Sequence, residues 1–470
     1  MKKINKIALL EPSVAAECVV TELRSQIRCG APFLAGALME KGYSARVFAE
    51  EIMYFDDVFL DRIAKEYEVV GISVALNTLI RGFQVAKALK KKNSNILIAF
   101  GGPSASAWAD KLLTCSDAVF RGRAEISFPD WLDSLNNSTD AEIPGLVIAR
   151  NGQIKRNLED PQVGDGSTRY DLIEGLGPYS QRINLFGGLK ETVYSIFAST
   201  GCVRKCKFCK SEKRYNKRSI ERVVQDFENI MKIHSGSTPA GIMLVDDCLF
   251  GDIGWIKELL KRLEVARDGR NVKFSAQFHV QPTADNELML LFKKAGFVTL
   301  AIGFETNNQT SLDHELKGTR ADENDFAILQ CRKFGIVPYG YFIAGFDTDT
   351  EESVNSIFDY IMEKNLIAQV LPMGLMNRDE FGNPTPDAER ILSDISFGAT
   401  IFVSHIPKLM KPSKLQEIIN RGYKRITSLK RISRFQTNYE RAFLVGLNRC
   451  YQVWSQLMEN HENFLKDKGL

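Results

Sequence analysis

Short apolar runs of strand length alternate with segments of helical periodicity along most of this chain. In the first part the runs include residues 6–11 (KIALLE), 69–74 (VVGISV) and 96–102 (ILIAFGG), with helix-period segments between them. This alternation is typical of a parallel β-sheet whose connecting helices cover both faces. The pattern therefore predicts an α/β fold that begins with a doubly wound parallel sheet over residues 1–145.

A second series of strand and helix patterns follows the first. Residues 146–190 are rich in Gly, Asp and Asn, which favours a linker. About six strand-helix units then occupy residues 191–375, and such a series predicts a partial or full (β/α) barrel with its site at the carboxyl ends of the strands. Residues 376–470 have a mostly helical pattern, so we expect a helical C-terminal region.

The composition excludes some classes of function. Lys and Arg total 61 against 58 for Asp and Glu, and this balance gives no electrostatic reason to expect a nucleic-acid partner. The apolar run near the N-terminus is too short for a signal peptide, and no apolar stretch reaches the roughly 18 residues of a membrane-spanning helix. We therefore expect a cytoplasmic protein without a transmembrane segment.

The strongest chemical signal is a group of three cysteines, Cys202, Cys206 and Cys209, in the segment GCVRKCKFC. Thiolates this close in sequence can converge on one metal centre, and a chain without an export signal favours metal ligation over disulfides. Structural zinc sites and ordinary electron-transfer clusters have four protein ligands, whereas three ligands leave one iron of a 4Fe-4S cluster open. The nearest further cysteine or histidine residues, Cys248 and His234, are distant in sequence. The alternative is a set of ordinary buried cysteines or a zinc loop.

The segment GCVRKCKFC resembles the signature of the radical S-adenosylmethionine (SAM) superfamily, and the resemblance extends through the second domain. It implies that Cys202, Cys206 and Cys209 hold a 4Fe-4S cluster whose open iron binds SAM. In that family an electron from the cluster cleaves SAM, and the resulting 5'-deoxyadenosyl radical abstracts hydrogen from a substrate. The resemblance also implies that Phe208 lies near the adenine.

Other strand ends resemble the family more loosely, in the segments MLVDDC, AIGFET and YFIAGF. The SAM-binding positions implied there are Asp246, Asp247, Gly303, Glu305 and Gly345. Carboxylates can accept hydrogen bonds from the SAM ammonium, and glycines let a strand approach the adenine closely. The alternative for the two aspartates is a helix N-cap or a turn. Gln277 and His279 could line the same cavity, although a lone His near a strand end is more often structural.

Basic residues surround the cysteine loop. They are Arg204, Lys205, Lys207, Lys210, Lys213 and Arg214. Three interpretations stay open: the cations raise the reduction potential of an anionic cluster, they attract a reductase, or they are simply solvated. The chemistry implied by the resemblance needs an electron donor, such as a flavodoxin or a ferredoxin.

The first domain resembles the cobalamin-binding domain that precedes the barrel in the B12-dependent class of radical SAM enzymes. The segments that carry this resemblance are VVGISVALNTLIRGFQVAKAL, ILIAFGGPSASAW and DAVFRGRAEISFPDWLDSL. The corrin-binding positions implied at the carboxyl edge of the sheet are Ser13, Ser73, Asn77, Thr78, Gly101, Gly102, Ser104, Gly122 and Glu125. The sequence lacks the Asp-x-His-x-x-Gly motif, and Ser104 stands where related enzymes often have His, so cobalt has no obvious histidine ligand. The alternative is a sheet that binds nothing and only shapes the substrate cavity.

Together these features predict a cobalamin-dependent radical SAM methyltransferase that acts on an unactivated carbon of a small molecule, a lipid or a secondary metabolite. Among enzymes, the alternative is a radical SAM cyclase, rearrangement or dehydrogenation enzyme in which cobalamin does not methylate or is absent. Outside enzymes, the alternative is a corrinoid or iron-sulfur sensor. A tRNA methylthiotransferase is disfavoured, because Cys18, Cys29 and Cys115 lack the context of that group's additional cysteines.

Overall fold

The fold is built on two seven-stranded sheets, each with its own layer of helices. The computed structural model describes residues 3–13, 26–150, 152–158, 164–180, 185–186, 189–190, 192–209, 211–235, 238–375, 385–392 and 401–470. Both sheets are mainly parallel, and helices dominate the C-terminal part. The predicted α/β class, with a sheet domain, a barrel-like domain and a helical C-terminal region, is therefore confirmed.

The first domain is a doubly wound sheet. Its part of the chain contains β1 (Lys6–Glu11), β2 (Gln26–Ile27), β3 (Ser44–Ala49), β4 (Val69–Ser73), β5 (Leu97–Gly101), β6 (Ala118–Phe120), β7 (Leu146–Arg150) and β8 (Gln153–Arg156). The helices are α1 (Gly30–Glu40), α2 (Asp57–Glu66), α3 (Leu79–Lys92), α4 (Ala109–Leu112) and α5 (Ala124–Asn137). The strand order is β3-β1-β4-β5-β6-β7-β8, with parallel pairing from β3 to β6. In such a sheet the strand order reverses between β1 and β4, which is where ligands of doubly wound domains bind.

Burial on both faces explains why the first strand is apolar at nearly every position. Alternate residues of a strand point to opposite faces. Ile7 and Leu9 pack in one core cluster, whereas Ala8 and Leu10 pack in the other. A helix layer therefore covers each face of the sheet, as the continuous apolar runs predict.

The first sheet extends beyond the domain boundary that the sequence predicts at residue 145. Strands β7 and β8 add an antiparallel hairpin to β6, so residues 146–150 and 153–156 belong to this sheet rather than to a linker. β6 has only three residues, β7 has five and β8 has four. Edge hairpins this short do not produce a clear periodic pattern, which is why composition alone suggests a linker there.

The second domain is a half-barrel. Its strands are β9 (Leu185–Phe186), β10 (Leu189–Lys190), β11 (Thr192–Ile196), β12 (Ser199–Thr200), β13 (Asn216–Lys217), β14 (Ala240–Leu244), β15 (Val272–Phe278), β16 (Phe297–Glu305), β17 (Val337–Ala344) and β18 (Ile367–Pro372). The helices that follow α5 are α6 (Leu176–Ser180), α7 (Ile220–Ile233), α8 (Ile253–Arg267), α9 (Asn286–Ala295), α10 (Gln309–His314), α11 (Ala321–Lys333) and α12 (Glu351–Glu363). The sheet order is β18-β17-β16-β15-β14-β11-β2, with parallel pairing throughout. Six of these strands are consecutive strand-helix units, so their carboxyl ends form one edge.

The first domain is joined to the half-barrel by a strand and by a buried ion pair. Gln26 and Ile27 in β2 pair with β11, so a segment of the first domain forms an edge of the second sheet. Arg218 Nη1 donates to Asp226 Oδ2 over 2.9 Å, and its guanidinium lies 5.0 Å from the ring centroid of Phe33 in α1. These contacts fix the carboxyl edge of the first sheet relative to the half-barrel.

The C-terminal helices support the far side of the half-barrel. They are α13 (Pro412–Ile426) and α14 (Asn438–Asp467). The Tyr423 hydroxyl donates to the Val370 carbonyl oxygen over 2.9 Å and accepts from the Val370 N–H over 3.1 Å. Tyr423 therefore satisfies backbone groups of the edge strand β18. Among the described residues, no helix has the length and apolar character needed to cross a membrane.

Candidate iron-sulfur and cofactor site

The three cysteines of the motif lie on one loop at the carboxyl end of β11. The short strands β12 and β13 pair in antiparallel fashion and close the base of this loop. Gly201 has a positive φ of 71°, and any Cβ there would collide with the Arg214 carbonyl. Cys202 N–H donates to the Glu212 carbonyl over 2.7 Å. The Gly that precedes the first cysteine is therefore required by the turn itself.

The loop presents its sulfur atoms in a manner that suits thiolate ligands. Cys202 and Cys206 are buried, and Cys209 is half-buried. The N–H of Arg204 donates to Cys202 Sγ over 3.4 Å, and the N–H of Ser211 donates to Cys209 Sγ over 3.4 Å. Such N–H donors stabilise negative charge on sulfur. The cysteines of the described part of the chain are all free thiols.

The site does not have the geometry of a mononuclear metal site. Within the described residues, no group of three or more His, Cys, Asp and Glu side chains converges closely enough to hold a single ion. Each thiolate of a 4Fe-4S cluster binds a different iron, so its three sulfurs need not meet at one point. Three thiols on one loop match the ligand number of a 4Fe-4S cluster with one open iron, whereas structural zinc sites have four protein ligands.

Cys248 lies beside Cys202, and the motif did not identify it. A hydrogen bond from the Cys248 thiol lowers the pKa of Cys202 to about 6, and the same bond raises the pKa of Cys248. Cys248 is only 1% exposed. It follows β14, which pairs with β11, so sheet adjacency was the signal that could have found it. A further thiol thus contacts the first cysteine of the loop.

Asp246 holds the start of the cysteine loop. It accepts hydrogen bonds from the Ala198 N–H over 3.0 Å, from the Ser199 hydroxyl over 2.6 Å and from the Ser199 N–H. Burial raises its pKa to about 6. Asp247 is exposed on the same turn. These hydrogen bonds give Asp246 a positioning role, and the SAM-binding role of both residues stays a prediction.

A buried ion pair lies next to Cys206. Lys317 Nζ is 2.7 Å from Glu305 Oε1, and both side chains are nearly inaccessible to solvent. The Lys317 charge opposes the rise that burial causes in the pKa of Cys206, which places the ammonium near that sulfur. Glu305 has a positive φ of 63° at the end of β16, and a Cβ at Gly303 would lie 2.5 Å from its carboxylate. Strained backbone of this kind is concentrated at functional sites.

His279 contributes a hydrogen-bond donor that is not used within the described structure. Its Nδ1 accepts from the Gln281 N–H over 3.3 Å, while Nε2 has no partner among the described residues. The ring is 4% exposed and lies 4.7 Å from the Phe250 ring. Burial lowers the pKa of His279 to about 2, so the imidazole is neutral with its proton on Nε2. The Arg204 side chain donates to Gln281, so this group adjoins the cysteine loop.

Phe208 and Gly345 lie at the opposite side of the loop. The Phe208 ring is 5.5 Å from the Phe346 ring. Gly345 has a φ of 97°, and a Cβ there would lie 2.6 Å from Leu415. Asp349 accepts from the Gly345 N–H over 2.9 Å, which fixes this turn. The structure therefore brings Phe208 beside the end of β17, and the SAM-binding roles of Phe208 and Gly345 stay predictions.

The predicted corrin-binding positions lie at the carboxyl edge of the first sheet. They are Ser13 after β1, Ser73, Asn77 and Thr78 at and after β4, Gly101, Gly102 and Ser104 at and after β5, and Gly122 and Glu125 after β6. A Cβ at Gly101 would have no heavy atom within 4 Å, whereas one at Gly102 would lie 2.6 Å from the Val74 carbonyl oxygen. The edge is thus open beside Gly101. No described contact tests these positions as corrin ligands, and they stay predictions.

Several of these edge residues already have partners within the protein. Ser13 donates from its N–H to Glu50 over 2.9 Å. Thr78 Oγ1 accepts from the Ala75 N–H over 2.9 Å, and Glu125 accepts from the Gly164 N–H over 3.3 Å. Arg123 lies 3.7 Å from Glu212 in the cysteine loop. The carboxyl edge of the first sheet therefore adjoins the cysteine loop of the half-barrel.

Comparison with known families and proteins supports this arrangement. Residues 196–361 match the family described as the Radical SAM superfamily. An uncharacterized methyltransferase of Pyrococcus horikoshii is 24% identical over 375 residues, which cover 76% of this chain and 78% of that protein. The bacteriochlorophyllide d C-12(1)-methyltransferase of Chlorobaculum tepidum is 29% identical over 325 residues, which cover 67% of this chain and 66% of that protein.

The fold also matches a solved structure over nearly its whole length. The cobalamin-dependent S-adenosylmethionine radical enzyme OxsB, with aqua-cobalamin and S-adenosylmethionine bound, has a TM-score of 0.71 at 13% sequence identity. The match covers 99% of this chain and 72% of that chain. The combination of a doubly wound domain, a half-barrel and a helical C-terminal region is therefore a known architecture.

Proposed function

We propose that this chain, whose residues 196–361 match the Radical SAM superfamily, is a cobalamin-dependent radical SAM enzyme that methylates an unactivated carbon of a small molecule, a lipid or a secondary metabolite. The observation that carries the proposal is a loop of three free thiols, two of them with N–H donors, beside the buried Glu305–Lys317 pair. The methyltransferases among the similar proteins support the reaction type.

The three thiolates would hold a 4Fe-4S cluster. A bound cluster would supply the electron that cleaves SAM to methionine and a 5'-deoxyadenosyl radical, and bound cobalamin would supply the methyl group. Cys202, Cys206 and Cys209 are the ligands that we propose for the cluster. The Cys248 thiol would donate a hydrogen bond to the Cys202 sulfur, and Asp246 would hold the first residues of the loop in place.

Glu305 and Lys317 form a charge pair that complements the amino-acid end of SAM. That end carries an ammonium and a carboxylate, and the protein pair carries the opposite charges at a separation of 2.7 Å. In a site with little water, such groups bind more strongly than they do in solution. The free Nε2 donor of His279 lies in the same region and would add a hydrogen bond to a SAM or substrate oxygen. The Phe208 ring would contact the adenine, and the backbone at Gly303 and Gly345 would lie close to the adenosyl group.

Cobalamin would lie at the carboxyl edge of the first sheet. The open side of Gly101 and the position of the β1–β4 crevice support this placement. The Arg123–Glu212 contact keeps that edge beside the cysteine loop, so a substrate between the two domains would face both cofactors. A flavodoxin or a ferredoxin is the electron donor that we propose, and a cytoplasmic location stays a prediction.

The proposal is tested by cluster assembly and SAM cleavage. The protein would be reconstituted without oxygen, assayed for iron and sulfide, and incubated with SAM and a reductant. We expect about four irons per chain and formation of 5'-deoxyadenosine. Replacement of any one of Cys202, Cys206 and Cys209 by Ala should abolish that product, whereas Cys115→Ala, a buried cysteine on the outer side of the first domain, should not.

Two results would contradict the proposal. Retained SAM cleavage in all three cysteine variants would reject the cluster site. Incubation with SAM that carries a deuterated methyl group tests the reaction type: label in a product supports methylation, whereas a modified product without label would favour the cyclase, rearrangement or dehydrogenation alternative.

A further inference from the structure

The outer face of the cysteine loop carries exposed cations, three of which have no acidic partner among the described residues. Lys205, Lys207, Lys213 and Arg214 are exposed there, and we refer to them as the basic face. Within the described chain, Lys205, Lys207 and Arg214 form no ion pair. The other cations of this segment differ, because Lys217 is 2.5 Å from Asp252 and Arg218 binds Asp226. The positive charge of the basic face is therefore local and available to a partner.

The acidic residue of this segment does not cancel that charge. Glu212 is the one carboxylate in the sequence from residue 202 to residue 218, and it lies 3.7 Å from Arg123 of the first domain. The whole chain has a formal charge of only +3. A concentration of free cations around the cysteines is thus a feature of this surface rather than of the protein as a whole.

Two apolar side chains accompany the basic face. Val203 is 48% exposed and Leu316 is 55% exposed. Their segments are in contact, because the Lys207 N–H donates to the Glu315 carbonyl over 3.0 Å. Leu316 has a positive φ of 53°, a conformation that is costly for a branched residue. Exposed apolar side chains accompanied by charged ones are typical of a protein-docking surface.

The residues of this surface are next to the proposed cluster ligands in sequence. Val203 is between Cys202 and the next cysteine in sequence, and Lys205 and Lys207 flank Cys206 on either side. The two cysteines are buried while these three neighbours are exposed. Exposed residues therefore alternate along the loop with the two buried cysteines that we propose as cluster ligands.

We propose that the basic face, together with Val203 and Leu316, docks a small acidic protein that delivers one electron to the cluster. The inference rests on the proposed function, which requires a reduced cluster. One electron leaves the reduced carrier and enters the oxidised cluster, so the carrier is oxidised by one electron and no bond forms or breaks. Opposite charges accelerate such encounters by roughly 10- to 1000-fold, and the effect falls as salt rises.

The test measures the rate of cluster reduction in the reconstituted full-length protein. Reduced flavodoxin would be mixed with the protein in a stopped-flow instrument at low and high ionic strength, and photoreduced 5-deazariboflavin would serve as an uncharged small reductant. We expect the Lys205→Glu/Lys207→Glu variant to react with flavodoxin at least about tenfold more slowly at low salt, with a smaller difference at high salt. Its rate with deazariboflavin should equal that of the wild type.

Two further variants separate docking from other effects. Lys293→Glu/Lys294→Glu changes the total charge equally on an exposed part of α9 and should leave the flavodoxin rate unchanged. Leu316→Asn removes the apolar side chain without changing the charge, and Asn tolerates a positive φ. This variant should lower the rate of cluster reduction by flavodoxin at both salt concentrations, because it removes apolar contact area and leaves the charges that attract flavodoxin unchanged.

The outcomes distinguish this proposal from the proposed function. If the wild type binds no iron or does not cleave SAM with deazariboflavin, the proposed function fails, and the docking surface fails with it. If deazariboflavin supports SAM cleavage but flavodoxin does not reduce the cluster, or reduces all variants equally, only the docking surface is overturned. A measured midpoint potential that shifts in Lys205→Glu/Lys207→Glu, with an unchanged flavodoxin rate, would assign the cations to potential tuning instead.

Discussion

The buried pair of Arg218 and Asp226 should make a large contribution to the stability of the domain junction. Arg218 is 2% exposed and Asp226 is fully buried. Asp226 also accepts from the Thr168 N–H over 2.8 Å and from the Thr168 hydroxyl over 2.5 Å. In Asp226→Ala the guanidinium keeps the carbonyl oxygens of Phe197 and Gly166 and a solvent-exposed carboxylate, Asp165, at 3.9 Å, but it loses its buried counter-charge. Breaking such a pair costs about 3–5 kcal/mol, and we expect a loss of that size in the free energy of unfolding.

Urea denaturation followed by fluorescence and circular dichroism would measure this loss. Asp322→Ala is the matched control, because Asp322 pairs with Arg320 at the same kind of distance but both side chains are exposed. That variant should unfold like the wild type, since exposed pairs are screened by solvent. Arg218→Met/Asp226→Leu should recover part of the stability, because no buried charge is left unpaired. An Asp226→Ala curve that overlays the wild type would refute the reasoning.

Three other perturbations test the cofactor sites and the pH dependence. Gly101→Phe should fold normally and lose cobalamin, because the new side chain would fill the open edge of the first sheet, and an absorbance titration with hydroxocobalamin checks this. Lys317→Met should weaken SAM binding by roughly 10- to 100-fold, the range expected for one charged hydrogen bond, as measured by calorimetry on the reconstituted protein. Burial lowers the pKa of His405 to about 4 from 6.5, so the native state keeps it neutral and stability should fall as the pH drops from 6.5 to 4. The His405→Gln variant can still donate a hydrogen bond to the Gly345 carbonyl but has no imidazole to protonate. Its thermal midpoint should therefore fall less than that of the wild type between pH 6.5 and 4, and equal falls in the two proteins would contradict the prediction.

The fold was predictable because most of its elements have a periodic pattern that is local in sequence. The strand predicted at residues 6–11 (KIALLE) coincides with β1 (Lys6–Glu11), and the strand predicted at residues 69–74 (VVGISV) contains β4 (Val69–Ser73). Strand β2 was not predicted, because two residues cannot display a period. It exists because Gln26 and Ile27 pair with β11, far along the chain. Local pattern therefore determines the long elements, and tertiary pairing determines the short ones.

The candidate site was predictable only to the extent that its residues share one segment. Cys202, Cys206 and Cys209 are neighbours in sequence, so their spacing alone indicates a common centre. Lys317 follows α10 in a loop without a motif, and it reaches Glu305 only because α10 returns the chain to the end of β16. Cys248 was within reach of a simple rule, since β14 is the next strand to β11 and parallel strands end at the same edge. A prediction that compared the residues following adjacent strands would have placed Cys248 at the cluster loop. The ion pair beside Cys206 could be identified only from the structure.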